Sequence, residues 1–159
     1  MPTPEHNNVV NALDQALRES GYEVSHGTAL PFPSVLERFG HRRLMPDLWA
    51  NKKGIKQYDV YQVWDSEGSG DAISEVMRAE LTPNVGSLSI VLVENERLAR
   101  KNDNWTLSYT RNYVKGVLEV LDHSRLSFPW NEFYFAEVSS AMAKDLVKTK
   151  QYLKQKLGI

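Results

Sequence analysis

The chain has 159 residues, of which 42% are hydrophobic and 25% charged. Those are ordinary proportions for one globular domain with its own core, and they set aside wholesale disorder and collagen-like repeats. There is no cysteine, which removes disulfides, thiolate zinc sites and cysteine nucleophiles together, and the net charge of −1 leaves no global field for phosphate. Any hold on nucleic acid therefore has to be local. The charge is unevenly spread: residues 141–159 carry five lysines against Asp145, a local +4, and the residues before them carry −5. The longest aliphatic run, 90–93, is far short of the ~20 apolar residues that span a bilayer. Residues 2–5 (Pro, Thr, Pro, Glu) show neither a basic stretch nor an apolar segment, so no secretory signal is visible and a cytoplasmic location without membrane contact is expected.

No internal repeat or long Gly/Pro/Ser linker divides the chain, and a single domain over 1–159 is the expectation. Thr3 is placed to cap a first helix and Pro4 suits its first position. Val9, Val10, Leu13, Ala16 and Leu17 give that helix one apolar face, and Gly21 supplies its left-handed stop. Tyr22 and Val24 begin a return segment. Pro31 and Pro33 keep 26–34 a loop, with a short helical turn possible over 35–39.

Strands follow. The segment 44–49 is apolar around Pro46 and Asp47, 51–54 reads as a turn, and 58–64 is rich in β-formers, so the two segments form a hairpin. After the loop 66–70, Asp71 caps a helix with Ile73, Val76, Met77 and Leu81 on one face. Thr82, Pro83 and Asn84 end it, and 88–93 is a buried strand. Strand, helix, strand favours parallel pairing through a right-handed crossover. Beyond a polar stretch at 95–104, residues 105–110 alternate as a half-wet strand, Asn112 caps a helix over 114–121, 133–138 is another strand, and a last helix covers 141–157. Its lysines do not form one stripe and read as a solvated face with cations favourably placed toward the C-terminus.

An opening helix, a hairpin, a crossover helix and another strand resemble the core of the PD-(D/E)XK, restriction-endonuclease-like superfamily. The resemblance is most specific at Met45-Pro46-Asp47-Leu48-Trp49, where an apolar-Pro-Asp segment enters a strand. It implies an α/β fold: a mixed central sheet flanked by helices, an αβββαβ core over about 4–94, and an added strand and helix region over about 105–159. It also implies that Asp47 binds a catalytic magnesium ion and that the next strand carries acid-x-Lys. Phosphodiester cleavage wants hard oxygen ligands for the metal, a water activated beside it, and a cation to stabilise developing charge.

Two registers of the second strand are open. In one, Asp59 is the second acid, with Tyr61 where lysine belongs; in the other, Gln62-Val63-Trp64 occupies the motif with neither acid nor lysine. Asp59, Tyr61, Val63 and Asp65 share one face by alternation, and Tyr58, Val60, Gln62 and Trp64 the other. A working site needs Asp47 and Asp59 as metal ligands and a lysine recruited from the turn, Lys52, Lys53 or Lys56, with Lys56 the candidate near the water. Arg42 and Arg43 upstream, with Lys52 and Lys53 downstream, would bracket it and hold a phosphate backbone. The family's first-helix glutamate has two candidates, Glu5 and Glu19, neither placed by spacing, and Glu75 with Arg78 reads as a helix ion pair. His6, His26, His41 and His123 lack metal-ligand spacing, and no phosphate-cradle or nucleophile-elbow pattern is present. The aromatic segment 128–135 (Phe128, Pro129, Trp130, Phe133, Tyr134, Phe135) is core or, if exposed, a protein-partner surface.

Two functions compete. One is a magnesium-dependent endonuclease acting on nucleic acid with an atypical site. The other is a catalytically inactive nuclease-like binding module, either a toxin inhibitor or immunity protein or a non-catalytic subunit of a nucleic-acid-processing assembly.

Overall fold

Thr3 opens the first helix, α1 (Pro4–Glu19), by accepting the His6 N–H on its hydroxyl at 3.1 Å. Pro4 sits where its missing N–H costs nothing, and Ser20 closes the last turn before Gly21 takes a φ of +87°. The face bearing Val9, Ala12, Leu13, Ala16 and Leu17 is buried, as its spacing predicts. The computed structural model describes residues 3–31, 37–38, 40, 43–65, 78–79, 82–94 and 132–159.

Five strands make one sheet in chain order: β1 (Tyr22–His26), β2 (Leu48–Lys52), β3 (Tyr58–Asp65), β4 (Val85–Val93) and β5 (Glu132–Val138). β1 and β2, and β2 and β3, are antiparallel; β3 and β4, and β4 and β5, are parallel. The architecture is α/β with a mixed sheet, and the hairpin and the parallel crossover predicted from the sequence are both present. The hairpin's first strand starts later than expected, at Leu48 rather than residue 44. Pro46 has no N–H to give a ladder and Asp47 lies in a bend, so pairing begins only after them. Every residue of β4 is buried, as befits a strand covered on both faces.

The single C-terminal helix expected over 141–157 is two helices, α2 (Ser140–Ala143) and α3 (Leu146–Leu157). Asp145 breaks the run by capping α3, accepting the Lys148 N–H at 3.1 Å, and the Thr149 hydroxyl ties the two by donating to Met142 O at 2.7 Å. α1 and α3 lie on one face of the sheet. Val9, Leu13, Leu17, Leu153 and Leu157 form a core there with Leu48, Tyr61, Val63, Val91 and Val138. On the opposite face Leu30, Leu44 and Ala79 cover Val60, Trp64, Leu88, Ile90 and Leu92. The C-terminal segment thus contributes the fifth strand and part of the main core.

Of the crossover helix expected from Asp71, only Arg78 and Ala79 are among the described residues. The turn expected over 35–39 is described only at Glu37 and Arg38, and the strand at 105–110 and the helix over 114–121 lie outside the described residues. No helix among the described residues is long and apolar enough to cross a membrane.

Candidate functional site

Asp47 stands one residue ahead of β2, where the hairpin ladder has not yet begun. Its carboxylate reaches across to β3: Oδ2 accepts the Val63 N–H at 2.8 Å, and Oδ1 lies 3.4 Å from His6 Nε2 in the first turn of α1. The side chains are 29% and 13% exposed respectively, so the pair is half-buried rather than set in open water. Burial alone pulls the His6 imidazole toward neutrality. The Asp47 carboxylate, the Asn7 side chain and the charge of Asp65 outweigh it and hold its pKa above the ordinary histidine value. Asp65, at the end of β3, is buried, and it reaches His6 by its field.

The strand register decides which residues stand beside Asp47. Leu48 is opposite Tyr61 and Ala50 opposite Asp59. One step further puts Asp47 level with Gln62, and its hydrogen bond to Val63 fixes that position. The motif position facing Asp47 is therefore Gln62-Val63-Trp64, the register that carries neither acid nor lysine. Alternation holds as expected: Tyr61 and Val63 enter the core under α1, and Val60 and Trp64 enter the core on the other face. Trp64, at the lysine position, is 6% exposed, packed in a cluster with Leu30, Leu44 and Leu92.

Asp59 is not brought to Asp47. Opposite Ala50, it lies three residues further along the ladder, about 10 Å by strand rise. There its Oδ1 accepts the Ser87 hydroxyl at 2.6 Å. Its charge, after burial itself, helps push the neighbouring Tyr61 phenol well above its usual range. Lys56 is exposed, on the far side of Asp59 from Asp47, and Lys52 and Lys53 are exposed at the same end. The lysines accordingly gather at the hairpin tip instead of bracketing Asp47. Arg43 is committed elsewhere, with Nε on Glu37 Oε1 at 3.0 Å and Nη1 on Leu30 O at 3.5 Å. Arg42 lies outside the described residues.

The two residues expected to share a magnesium ion are held apart, each with its own partners. Oδ2 of Asp47 is taken by a backbone amide and Oδ1 faces an imidazole, while Asp59 is held by a serine three positions away. Among the described residues no group of three or more His, Asp or Glu side chains is arranged to hold a metal ion.

Sequence spacing missed His6, because its partner arrives from residue 47 through the fold and not through helix or strand periodicity. It also missed the role of Glu19. At the end of α1, Glu19 takes Lys150 Nζ at 2.7 Å and Lys154 Nζ at 2.6 Å, so part of the lysine-rich tail is an interhelix clamp. Glu5 stands in the first turn of α1, and Glu75 lies outside the described residues. Of the aromatic segment, Tyr134 and Phe135 are half-buried on β5 and pack against opposite core clusters; 128–131 lie outside the described residues. Comparison of the chain with protein-family models, curated proteins and solved structures returns no match.

Proposed function

We propose that this chain is a nuclease-like, nucleic-acid-associated module that binds without cutting, in the manner of a non-catalytic subunit of a nucleic-acid-processing assembly. The resemblance is supported by the order helix, three antiparallel strands, crossover, parallel strand, and by Pro46-Asp47 at the entry to the second of those strands. One observation carries the loss of chemistry. In the register that sets Gln62 level with Asp47, the lysine position falls on Trp64, sealed in an apolar cluster on the sheet face away from α1, where a cation has no room. Gln62, at the acid position, is neutral and 5% exposed. With Gln62 and Trp64 in place of the motif's acid and lysine, Asp47 is left with the Val63 N–H on one oxygen and His6 on the other.

The test is incubation of the purified chain with duplex and single-stranded DNA and RNA in magnesium and in manganese, followed by gel electrophoresis and a mobility-shift assay. Retarded but intact nucleic acid is the expected outcome. Metal-dependent cleavage that vanishes in Asp47→Ala with the fold preserved establishes the endonuclease instead.

A further inference from the structure

Where the parallel strands β3 and β4 begin, their ladder is irregular. Tyr58 pairs with Val85 and Asp59 with Ser87, which leaves Gly86 as the extra residue of a bulge. A Cβ at Gly86 would stand 3.0 Å from Cβ and Oε1 of Gln57, so the missing side chain makes room for that residue. Asn84 leads into the bulge with a φ of +64°, a left-handed backbone that favours glycine, and its carbonyl accepts the Tyr58 N–H at 2.7 Å. Beside the bulge lies a cleft of about 280 Å³, walled by Tyr22, Lys52, Ile55, Gln57, Asp59 and Ser87. Ser87 is 6% exposed, and its hydroxyl donates to Asp59 Oδ1 at 2.6 Å, which fixes the carboxylate within the cleft. The Lys52 ammonium lies 4.9 Å from the centroid of the Tyr22 ring, so it too has a set direction. Ala50 faces Asp59 across the β2–β3 ladder, and Lys52 is two residues beyond Ala50, so the acid and the cation are diagonal neighbours on one face. At the rim Ile55 is 55% exposed, an aliphatic side chain that the described residues leave uncovered.

We propose that this cleft is a binding site for a guanine base. A fixed carboxylate, a directed cation and an apolar rim together suit a flat ring that carries donors and an acceptor on one edge. On its pairing edge guanine has two adjacent donors, N1–H and the N2 amino group, and then the O6 acceptor. The Asp59 carboxylate receives the two donors, the Lys52 ammonium meets O6, and the ring lies against Ile55. A carboxylate offers about four lone-pair sites, so the Ser87 hydroxyl does not exhaust it. Adenine and cytosine present a single amino group beside an acceptor on that edge, and uracil a single N–H between two carbonyls. The charge of Asp59 turns phosphates away, so the base enters and not the backbone. The volume suits one base and is too small for a dinucleotide. The inference rests on the nucleic-acid reading above for the source of the base, an unpaired guanine in a strand.

The experiment titrates the full chain with guanosine, adenosine, cytidine, uridine and inosine monophosphates by calorimetry. Guanosine monophosphate is expected to bind about 5- to 150-fold more tightly than the adenosine, cytidine and uridine compounds, the discrimination of a two-donor base contact. Inosine monophosphate, which lacks the N2 amino group, is expected to bind about tenfold more weakly than its guanosine counterpart. Asp59→Asn keeps an acceptor for the Ser87 hydroxyl and is expected to abolish the preference for guanine, with an unchanged circular dichroism spectrum. Nucleotides bound alike, or a guanine preference that survives in folded Asp59→Asn, overturn the site. If that variant unfolds, the wild type decides alone: inosine monophosphate bound as tightly as guanosine monophosphate overturns it. Mobility shifts with guanine-containing and guanine-free single strands separate the site from the reading beneath it. Retardation of both strands alike, with no guanosine monophosphate bound, overturns the cleft and leaves the nucleic-acid reading standing. Guanosine monophosphate bound with neither strand retarded keeps the cleft as a site for a free nucleotide and overturns that reading. Neither ligand bound overturns both.

Discussion

Replacing Asp47 with alanine separates a structural carboxylate from a catalytic one. The Val63 N–H that Asp47 accepts at 2.8 Å belongs to a residue 2% exposed on the third strand, level with a bend where β2 offers no ladder carbonyl. Truncation leaves that donor without its acceptor, at a cost of about 1–3 kcal/mol. For a chain of this size that corresponds to a melting temperature lower by about 2–12 °C. Asp47→Asn keeps an amide oxygen for the same N–H and costs less, but it removes the charge that raises the His6 pKa. The sign follows from that shift. A histidine raised in the folded state adds stability that is complete below its unfolded value of 6.5 and fades as pH climbs through the folded value. Urea titrations of the three proteins on both sides of that window, with the His6 ring followed by NMR, measure both effects. An alanine variant as stable as the wild type, or a His6 titration unmoved in the asparagine variant, refutes the structural role of the carboxylate.

Leu153, fully buried between α3 and α1, reports on the joint that brings the C-terminal helix into the main core. Leu153→Ala is expected to cost about 2–5 kcal/mol in urea unfolding, against almost nothing for Val147→Ala on the same helix, where the side chain is 58% exposed. The clamp of Lys150 and Lys154 on Glu19 holds that carboxyl down at about 2, so its contribution is present above the unfolded value of 4.5 and disappears as pH falls through about 2. Thermal melts of Glu19→Gln should lie slightly below the wild type near neutrality and meet it near pH 2, and the gap should narrow with added salt because the clamp is exposed.

What the sequence disclosed was set by short-range chemistry. The α1 cap at Thr3, its apolar face and the strand that starts at Tyr58 announce themselves through residues a few places apart, and each is where spacing puts it. The errors arose where one residue overrode a periodic pattern. Pro46 delayed β2 by four residues, and Asp145 cut one helix into two. The site was legible in part. Two registers of β3 were open from the strand alone, because side-chain alternation is satisfied by either. Only the pairing of Leu48 with Tyr61 selects the one that sets Gln62 level with Asp47. His6 was invisible because its contact joins residues 41 positions apart, and a lone histidine in a first helical turn carries no spacing signal.

The Pro-Asp pair itself has a reason to be where it is without any metal. Proline cannot donate to the ladder, the pairing of β2 with β3 begins only at Leu48, and the Val63 N–H beyond that pairing takes its acceptor from a side chain. A short acidic side chain on the next residue supplies that acceptor from the correct side, which is the geometry Asp47 and Val63 adopt. An aspartate following proline at a strand entry thus satisfies the sheet and, in a cleaving enzyme, holds a metal with the same carboxylate. The two uses differ in what else converges. A metal site requires further oxygens and a cation beside that carboxylate, and in the register level with Asp47 the motif positions are a neutral amide and an indole packed among leucines on the other face of the sheet. In this chain the sheet alone accounts for the aspartate, through the Val63 N–H that it accepts.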